Sequence, residues 1–369
     1  MRLLKPILAL FLAFAGLLCF YPQPWAKGLV RGALQKDSTF PPPELGFKKV
    51  GYLFIDSADH AHFPSEILRK KLQYINIVCF ANAYIDTGGL IQVGYPASLV
   101  RTRALARESG ARVFLSVQAR PARWNLVTSS AGRQTKFIRS VLGKLRHYQL
   151  DGLDIDWEFP GAKTAAAFTG LLRELGDSCH KNGKYYLSAA LISGNNAGSL
   201  REAVSDSVLK SKGIDFFNIM AYDDLRRSDV LHHHATYEHA EASLRYWIDQ
   251  RKMPARKAVL GIPFFGYALL YYRDTAKSKT AYDTLLFSKG YDTLVRRGAP
   301  PQADSFTFIT RFKDSGQVRL RYLYNGKTTV EKKARLARAR AGGLMFWELT
   351  QDSPYDSTSL LYHIRALNL

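Results

Sequence analysis

Short apolar runs recur down the chain at spacings that leave room for a helix between them. Val50 to Ile55, Tyr74 to Ala83, Val113 to Val117, Leu150 to Trp157, Tyr185 to Ile192, Ile214 to Tyr222, Ala258 to Phe265 and Leu344 to Trp347 each read as a buried strand. Between them, Gln134 to Leu145, Thr164 to Leu175, Ala240 to Ile248 and Lys332 to Ala341 carry apolar residues at helical spacing. Strands alternating with helices imply parallel βαβ units. Eight such units suit an α/β fold of the (β/α)8 TIM barrel type, which takes ~250 residues. An open doubly wound sheet competes, but no G-x-G-x-x-G follows the first strand, so the barrel leads. The gap between the seventh and eighth strands is too long for one helix. Phe306 to Thr310 and Val318 to Tyr324 read as extra strands within it. Residues 268–325 are therefore expected to form a small α+β insertion at the barrel end where such enzymes hold their sites.

The fourth run breaks the apolar rule. It reads Leu150-Asp151-Gly152-Leu153-Asp154-Ile155-Asp156-Trp157-Glu158. Side chains alternate across a strand, so Leu153, Ile155 and Trp157 share one face while Asp154, Asp156 and Glu158 share the other. In a barrel the apolar face packs under helices, and three carboxyl groups point inward. Like charges on one buried face are costly, so at least one proton is shared and one pKa is raised. A carboxyl group protonated near neutrality is a general acid. Glu158 lies last, nearest the open end, and is the natural proton donor.

Asp151-Gly152-Leu153-Asp154-Ile155-Asp156-Trp157-Glu158 resembles the D-G-x-D-x-D-W-E signature of glycoside hydrolase family 18, the chitinases and their relatives. Met220-Ala221-Tyr222-Asp223 resembles the family's M-x-Y-D. Gly261 to Gly266 and Gly342 to Trp347 resemble its seventh and eighth strands. The likeness extends over roughly residues 48–367 and implies the barrel independently of the strand count. It implies substrate-assisted hydrolysis, in which the sugar's own N-acetyl oxygen replaces a protein nucleophile. In that scheme Glu158 is the acid and then the base, and Asp156 orients the acetamido group. Asp154 shares a proton behind Asp156, and Tyr222 donates to the acetamido oxygen. Trp347 forms the floor under the reacting sugar, and Met220, Asp223 and Tyr52 join it as expected substrate contacts. Asp151 is supporting. Two departures stand out. The third strand usually ends in S-x-G-G but reads Ser116-Val117-Gln118-Ala119 here, and Phe265-Gly266-Tyr267 stands where the family often has Y-G-R.

The resemblance implies a retaining endo-glycosidase acting on β-1,4-linked N-acetylglucosamine polymers. Alternatives are action on N-glycans or peptidoglycan, or a chitin-binding lectin without activity. No cofactor or metal is expected, since the adjacent His232, His233 and His234 point in different directions. A monomer is expected. Trp124 is a candidate for either the cleft wall or the surface.

Composition adds location and charge. Arg2, Lys5 and the fourteen apolar residues from Ile7 to Phe20 suggest a secretory signal over residues 1–26, too short for a membrane helix of ~20. Residues 27–46, with Pro41-Pro42-Pro43, read as a linker before a catalytic domain at 47–369. The expected location is secreted, periplasmic or at the cell surface. Three cysteines are too few for a disulfide scaffold; Cys79 and Cys179 are expected as unpaired thiols. Of 369 residues, 52 are Lys or Arg against 31 Asp or Glu, a net charge of +21. That suggests contact with an anionic cell surface, while the absence of a nucleic-acid module argues against DNA or RNA. Lys327, Lys332, Lys333, Arg335, Arg338 and Arg340 are expected to form a solvated helix face.

Overall fold

The computed structural model describes residues 45–55, 63–181, 184–194, 203–227, 230–274, 279–312 and 316–368. The expected signal segment lies outside these residues, as does all but the end of the expected linker.

The chain begins with β1 (Lys48–Leu53), α1 (Ser65–Leu72) and β2 (Ile77–Ile85), which carries the short hairpin partner β3 (Ile91–Val93). Next come α2 (Pro96–Ser109), β4 (Arg112–Gln118), α3 (Pro121–Thr128), α4 (Ala131–Tyr148) and β5 (Gly152–Asp156). Then follow α5 (Ala165–Lys181), β6 (Tyr186–Ile192), α6 (Asp206–Lys210), β7 (Phe216–Met220), the ribbon β8 (Arg226–Arg227) with β9 (Val230–Leu231), α7 (Tyr237–Leu244) and β10 (Ala258–Pro263). Four antiparallel strands come next: β11 (Phe265–Asp274), β12 (Lys279–Gly290), β13 (Ser305–Phe312) and β14 (Gly316–Tyr324), with α8 (Tyr291–Arg296) among them. The chain closes with α9 (Lys327–Arg340), β15 (Gly343–Trp347) and α10 (Leu360–Ala366).

Parallel pairing runs in the order β1-β15-β10-β7-β6-β5-β4-β2, and β2 returns to β1. This is the closed (β/α)8 barrel that the alternating runs predict. The insertion also falls between the seventh and eighth barrel strands, as an antiparallel sheet ordered β12-β11-β14-β13. Its first two strands went unseen in the sequence. The seventh apolar run was read through Phe265, but the barrel strand ends at Pro263 and Phe265 opens β11.

Strand alternation divides the core into two layers. Leu153, Ile155 and Trp157 face outward, into the layer shared with helix residues such as Val141, Leu171 and Leu172. Tyr52, Cys79, Phe114, Tyr186, Phe216 and Met345 face inward and fill the barrel. Helix α4 shows how the outer layer is specified. Ser130 caps its start by accepting from the Arg133 N–H, and Phe137, Ile138, Val141 and Leu145 recur on one buried stripe. Gly152 of the acidic strand is fixed by the inner layer: a Cβ there would lie 2.8 Å from the Phe114 ring.

Lys48, Lys71, Lys257 and Lys333 are buried. Lys71 pairs with Asp352 at 2.8 Å. Lys333 corrects the reading of α9 as a wholly solvated basic face. Its ammonium turns inward and donates to the Ala235 carbonyl (2.8 Å) and to Asn325 Oδ1 (2.7 Å). Cys79 and Cys179 are both buried free thiols.

Candidate active site

The acidic strand enters the barrel between β4 and β6. Register sets Ser116 opposite Asp154 on one side, Ser188 opposite Asp154 on the other, and Gln118 opposite Asp156. The first aspartate, Asp151, precedes the strand and stays at its lower end. Its Oδ2 accepts from the Val113 N–H at 2.8 Å, tying β5 to β4.

Asp154 is completely buried and fully served. Oδ2 accepts from Tyr52 and Ser116, each at 2.7 Å; Oδ1 accepts from Ser188 at 2.6 Å and from Asn218 at 3.2 Å. Asn218 also donates to the Tyr52 oxygen at 2.9 Å, closing the ring of donors. Burial pushes the Asp154 carboxyl above its ordinary range, and the donors pull it back.

One layer higher the donors run out. Asp156 is 2% exposed. Gln118 Nε2 donates to its Oδ2 at 3.1 Å, while among the described residues no N–H or hydroxyl donates to Oδ1. Burial, then the charges of Glu158 and Asp154, drive its carboxyl well above the usual range. Glu158 is only partly covered. Its Oε1 lies 3.4 Å from the same Gln118 nitrogen. Burial first, and then the Asp223 charge, push it up to about 7, against hydrogen bonding with Asp156 and Gln118. Asp156 and Glu158 thus share a proton near neutrality, because two adjacent buried carboxylates cannot both ionise cheaply.

The remaining candidates surround this pair. Tyr222 is buried, 3.9 Å from Met345 Sδ and edge-on to Phe265. Burial and the charges of Asp223, Glu158 and Asp156 push its hydroxyl far up, so it remains an O–H donor. It lies against Gly261, where a Cβ would come within 3.0 Å of its ring. Asp223 has φ 64° and accepts from the Tyr267 hydroxyl at 3.0 Å. Trp347, at the end of β15, is partly exposed; its ring packs on Tyr52 and Phe54 with centroids 5.2 and 6.2 Å away. Met220 is partly buried against the same inner cluster. The eight residues singled out in the sequence therefore converge on one end of the barrel. Such an arrangement can hold a proton on a carboxyl group at neutral pH beside a phenolic O–H donor and a partly exposed tryptophan ring.

Glycosyl hydrolases family 18 matches residues 49–352. The chain belongs to this family. It is similar to a class V chitinase from Arabidopsis thaliana, 33% identical over 181 residues that cover 44% of this chain and 47% of that protein. Chitinase-3-like protein 2 from Homo sapiens is 29% identical over 161 residues, covering 39% of this chain and 41% of its own. The chain spans less than half the length of these two curated relatives. In fold it resembles a chitinase-like agglutinin from Robinia pseudoacacia, with a TM-score of 0.69 at 22% identity over 86% of this chain and 99% of that one.

Set against the family pattern, the two departures become specific contacts. Where S-x-G-G has its first glycine, Gln118 reaches both Asp156 and Glu158. Where Y-G-R would place an arginine, Tyr267 reaches Asp223. The sequence marks both residues as departures but does not show these contacts, nor the donor role of Ser116, Ser188 and Asn218. The hydroxyl signal was present: Ser188 interrupts the apolar run from Tyr185 to Ile192. His234 is another inward group. It is fully buried, its Nδ1 lies 3.6 Å from Asp223 Oδ1, and its ring packs against Phe265 and Tyr267. Burial lowers its basicity and keeps it neutral near pH 7. Trp124 lines neither cleft nor surface. It is buried and stacked on Trp157 with centroids 5.0 Å apart.

Proposed function

We propose that the protein is a secreted, retaining endo-glycosidase that cleaves β-1,4-linked N-acetylglucosamine chains with help from the substrate's acetamido group. The observation that carries this reading is the pairing of a partly open Glu158, held near pKa 7, with a deeper Asp156 that has one unserved oxygen. Glu158 gives its proton to the glycosidic oxygen as the bond to the anomeric carbon breaks. The acetamido carbonyl oxygen attacks that carbon on the opposite face. Asp156 accepts from the acetamido N–H and stabilises the positive charge that develops on the resulting five-membered ring. Tyr222 donates to the acetamido oxygen. Glu158, now a carboxylate, takes a proton from the water that opens the ring, so configuration is retained. Trp347 supplies the apolar surface beneath the sugar, with Tyr52, Met220 and Asp223 around it. Asp154 holds its place beneath Asp156 through its donor ring, and its charge helps to keep the shared proton on the pair above it.

Export rests on the charged start and short apolar run of residues 1–26. The excess of basic residues suits an anionic cell surface, and the protein is expected to act as a monomer without cofactor or metal.

A second reading, a sugar-binding lectin, draws support from the likeness to the Robinia agglutinin and from the altered third strand. The test is hydrolysis of soluble N-acetyl-chitooligosaccharides, followed by NMR of the newly formed anomeric centre, beside Glu158→Gln. Cleavage with retained configuration that is lost in the variant supports the glycosidase. Binding without turnover by the folded wild type favours the lectin. Neither result directs the search to N-glycans and peptidoglycan.

A further inference from the structure

Gln118 stands at the C-terminal end of β4, beside Asp156 in register. Its Nε2 lies 3.1 Å from Asp156 Oδ2 and 3.4 Å from Glu158 Oε1. An amide nitrogen only donates. The two oxygens it reaches are therefore acceptors, and an oxygen that bears the carboxyl proton accepts poorly. The proton of the pair is left to the other two oxygens, Asp156 Oδ1 and Glu158 Oε2. One amide group thus chooses between the two oxygens of each carboxyl group. Burial alone does not make that choice, because it raises both carboxyls without regard to which oxygen is protonated.

We propose that Gln118 is a positioning residue that confines the shared proton to Asp156 Oδ1 and Glu158 Oε2, holding Glu158 Oε2 as the atom that delivers it. This rests on the glycosidase reading for its role in turnover, but not for its effect on the carboxyl pair. It belongs to this chain in particular, since the third-strand pattern it interrupts has a glycine there, with no side chain to reach either acid.

Other groups bear on the same pair. Asp154 lies below it on β5, with Tyr52 from β1 and Cys79 from β2 around Asp154. Tyr222 and Asp223 follow β7, Tyr267 comes from β11, and His234 lies behind Asp223. None of the hydrogen bonds described for these groups links both carboxyls; Gln118 does.

The decisive variant is Gln118→Met, which keeps the length and removes the donor. Two readouts are taken on wild type and variant: the carboxyl 13C titration of Glu158, assigned with Glu158→Gln, and the pH profile of kcat and KM on chitooligosaccharides. Loss of an N–H that favours the ionised form should move the Glu158 midpoint up by about half a unit or more. It should lower kcat by roughly tenfold, with KM changed less than about threefold. Gln118→Asn, with the amide one methylene shorter, should fall between. If the Met variant does not fold, Gln118→Ala gives the same comparison. An unmoved midpoint together with an unchanged kcat overturns the proposal. A shifted midpoint in a protein that never cleaves the sugar keeps the proposal and removes the glycosidase reading instead.

Discussion

Asp154 and Asp156 are the same residue type, two positions apart on one strand and equally buried, yet their surroundings are opposite. Asp154 receives hydrogen bonds from four side chains on four different strands. Asp156 accepts one such bond, from Gln118, shares a proton with Glu158, and keeps an oxygen that no N–H or hydroxyl of the described residues serves. The lower layer stitches the barrel together, while the upper layer withholds stabilisation from a charge that the cleft must manage. Buried polar networks that are complete specify structure; incomplete ones mark places where a ligand is to supply the missing partner.

Glu158→Gln tests the upper layer most severely. Hydrolysis should fall by about 10²–10⁴-fold, the range for losing a general acid, with the melting temperature nearly unchanged. A variant with most of its activity left would place the acid elsewhere. Tyr222→Phe comes next, with kcat expected to fall about 10²-fold for loss of one preorganised donor. The contrast itself is tested by two alanine variants. Asp154→Ala strands four buried donors and should cost about 3 kcal/mol in urea unfolding. Asp156→Ala relieves a carboxyl that its neighbours disfavour, and should cost under about 1 kcal/mol while still abolishing most activity. Equal losses of stability in the two would erase the distinction between the layers.

The last expected effect is on pH dependence. The native state holds Glu158 at about 7 against a usual carboxylate value of 4.5. A raised acid pKa stabilises the fold while the group is protonated. That contribution is complete below about 4.5 and is lost as pH climbs through about 7. Unfolding free energy should therefore decline between those values, and less so in Glu158→Gln. Turnover should fall above about 7, where the proton is gone.

Much of this was legible in one dimension. The eight barrel strands announced themselves as apolar runs, and parity alone put Asp154, Asp156 and Glu158 on one face. What a single strand cannot show is its neighbour. Gln118 matters because β4 lies in register beside β5, and Ser188 because β6 does so on the other side; neither pairing is written in either segment. Lys333 was misread for a related reason. It sits in a run of basic residues that looks uniformly solvated, and only the fold reveals that its position on α9 faces Ala235 and Asn325. Strand β11 escaped because it opens at Phe265, two residues after the barrel strand ends at Pro263, so its start merged with that apolar run. Trp124 could not be placed because its partner, Trp157, lies a helix and a strand further on.

The inward lysines have a consequence for how the molecule meets its surroundings. A formal charge of +21 describes the chain as a list of side chains. Lys48, Lys71, Lys257 and Lys333 direct their ammonium groups to carbonyls, an amide and a carboxylate inside the fold. Pointing inward does not by itself remove charge, but burial lowers Lys257 to about 8 and Lys333 to about 7, so near neutrality an anionic polymer meets somewhat less charge than the list suggests. Electrophoretic mobility and retention on a cation exchanger, rather than the residue count, would measure the charge that the protein actually presents.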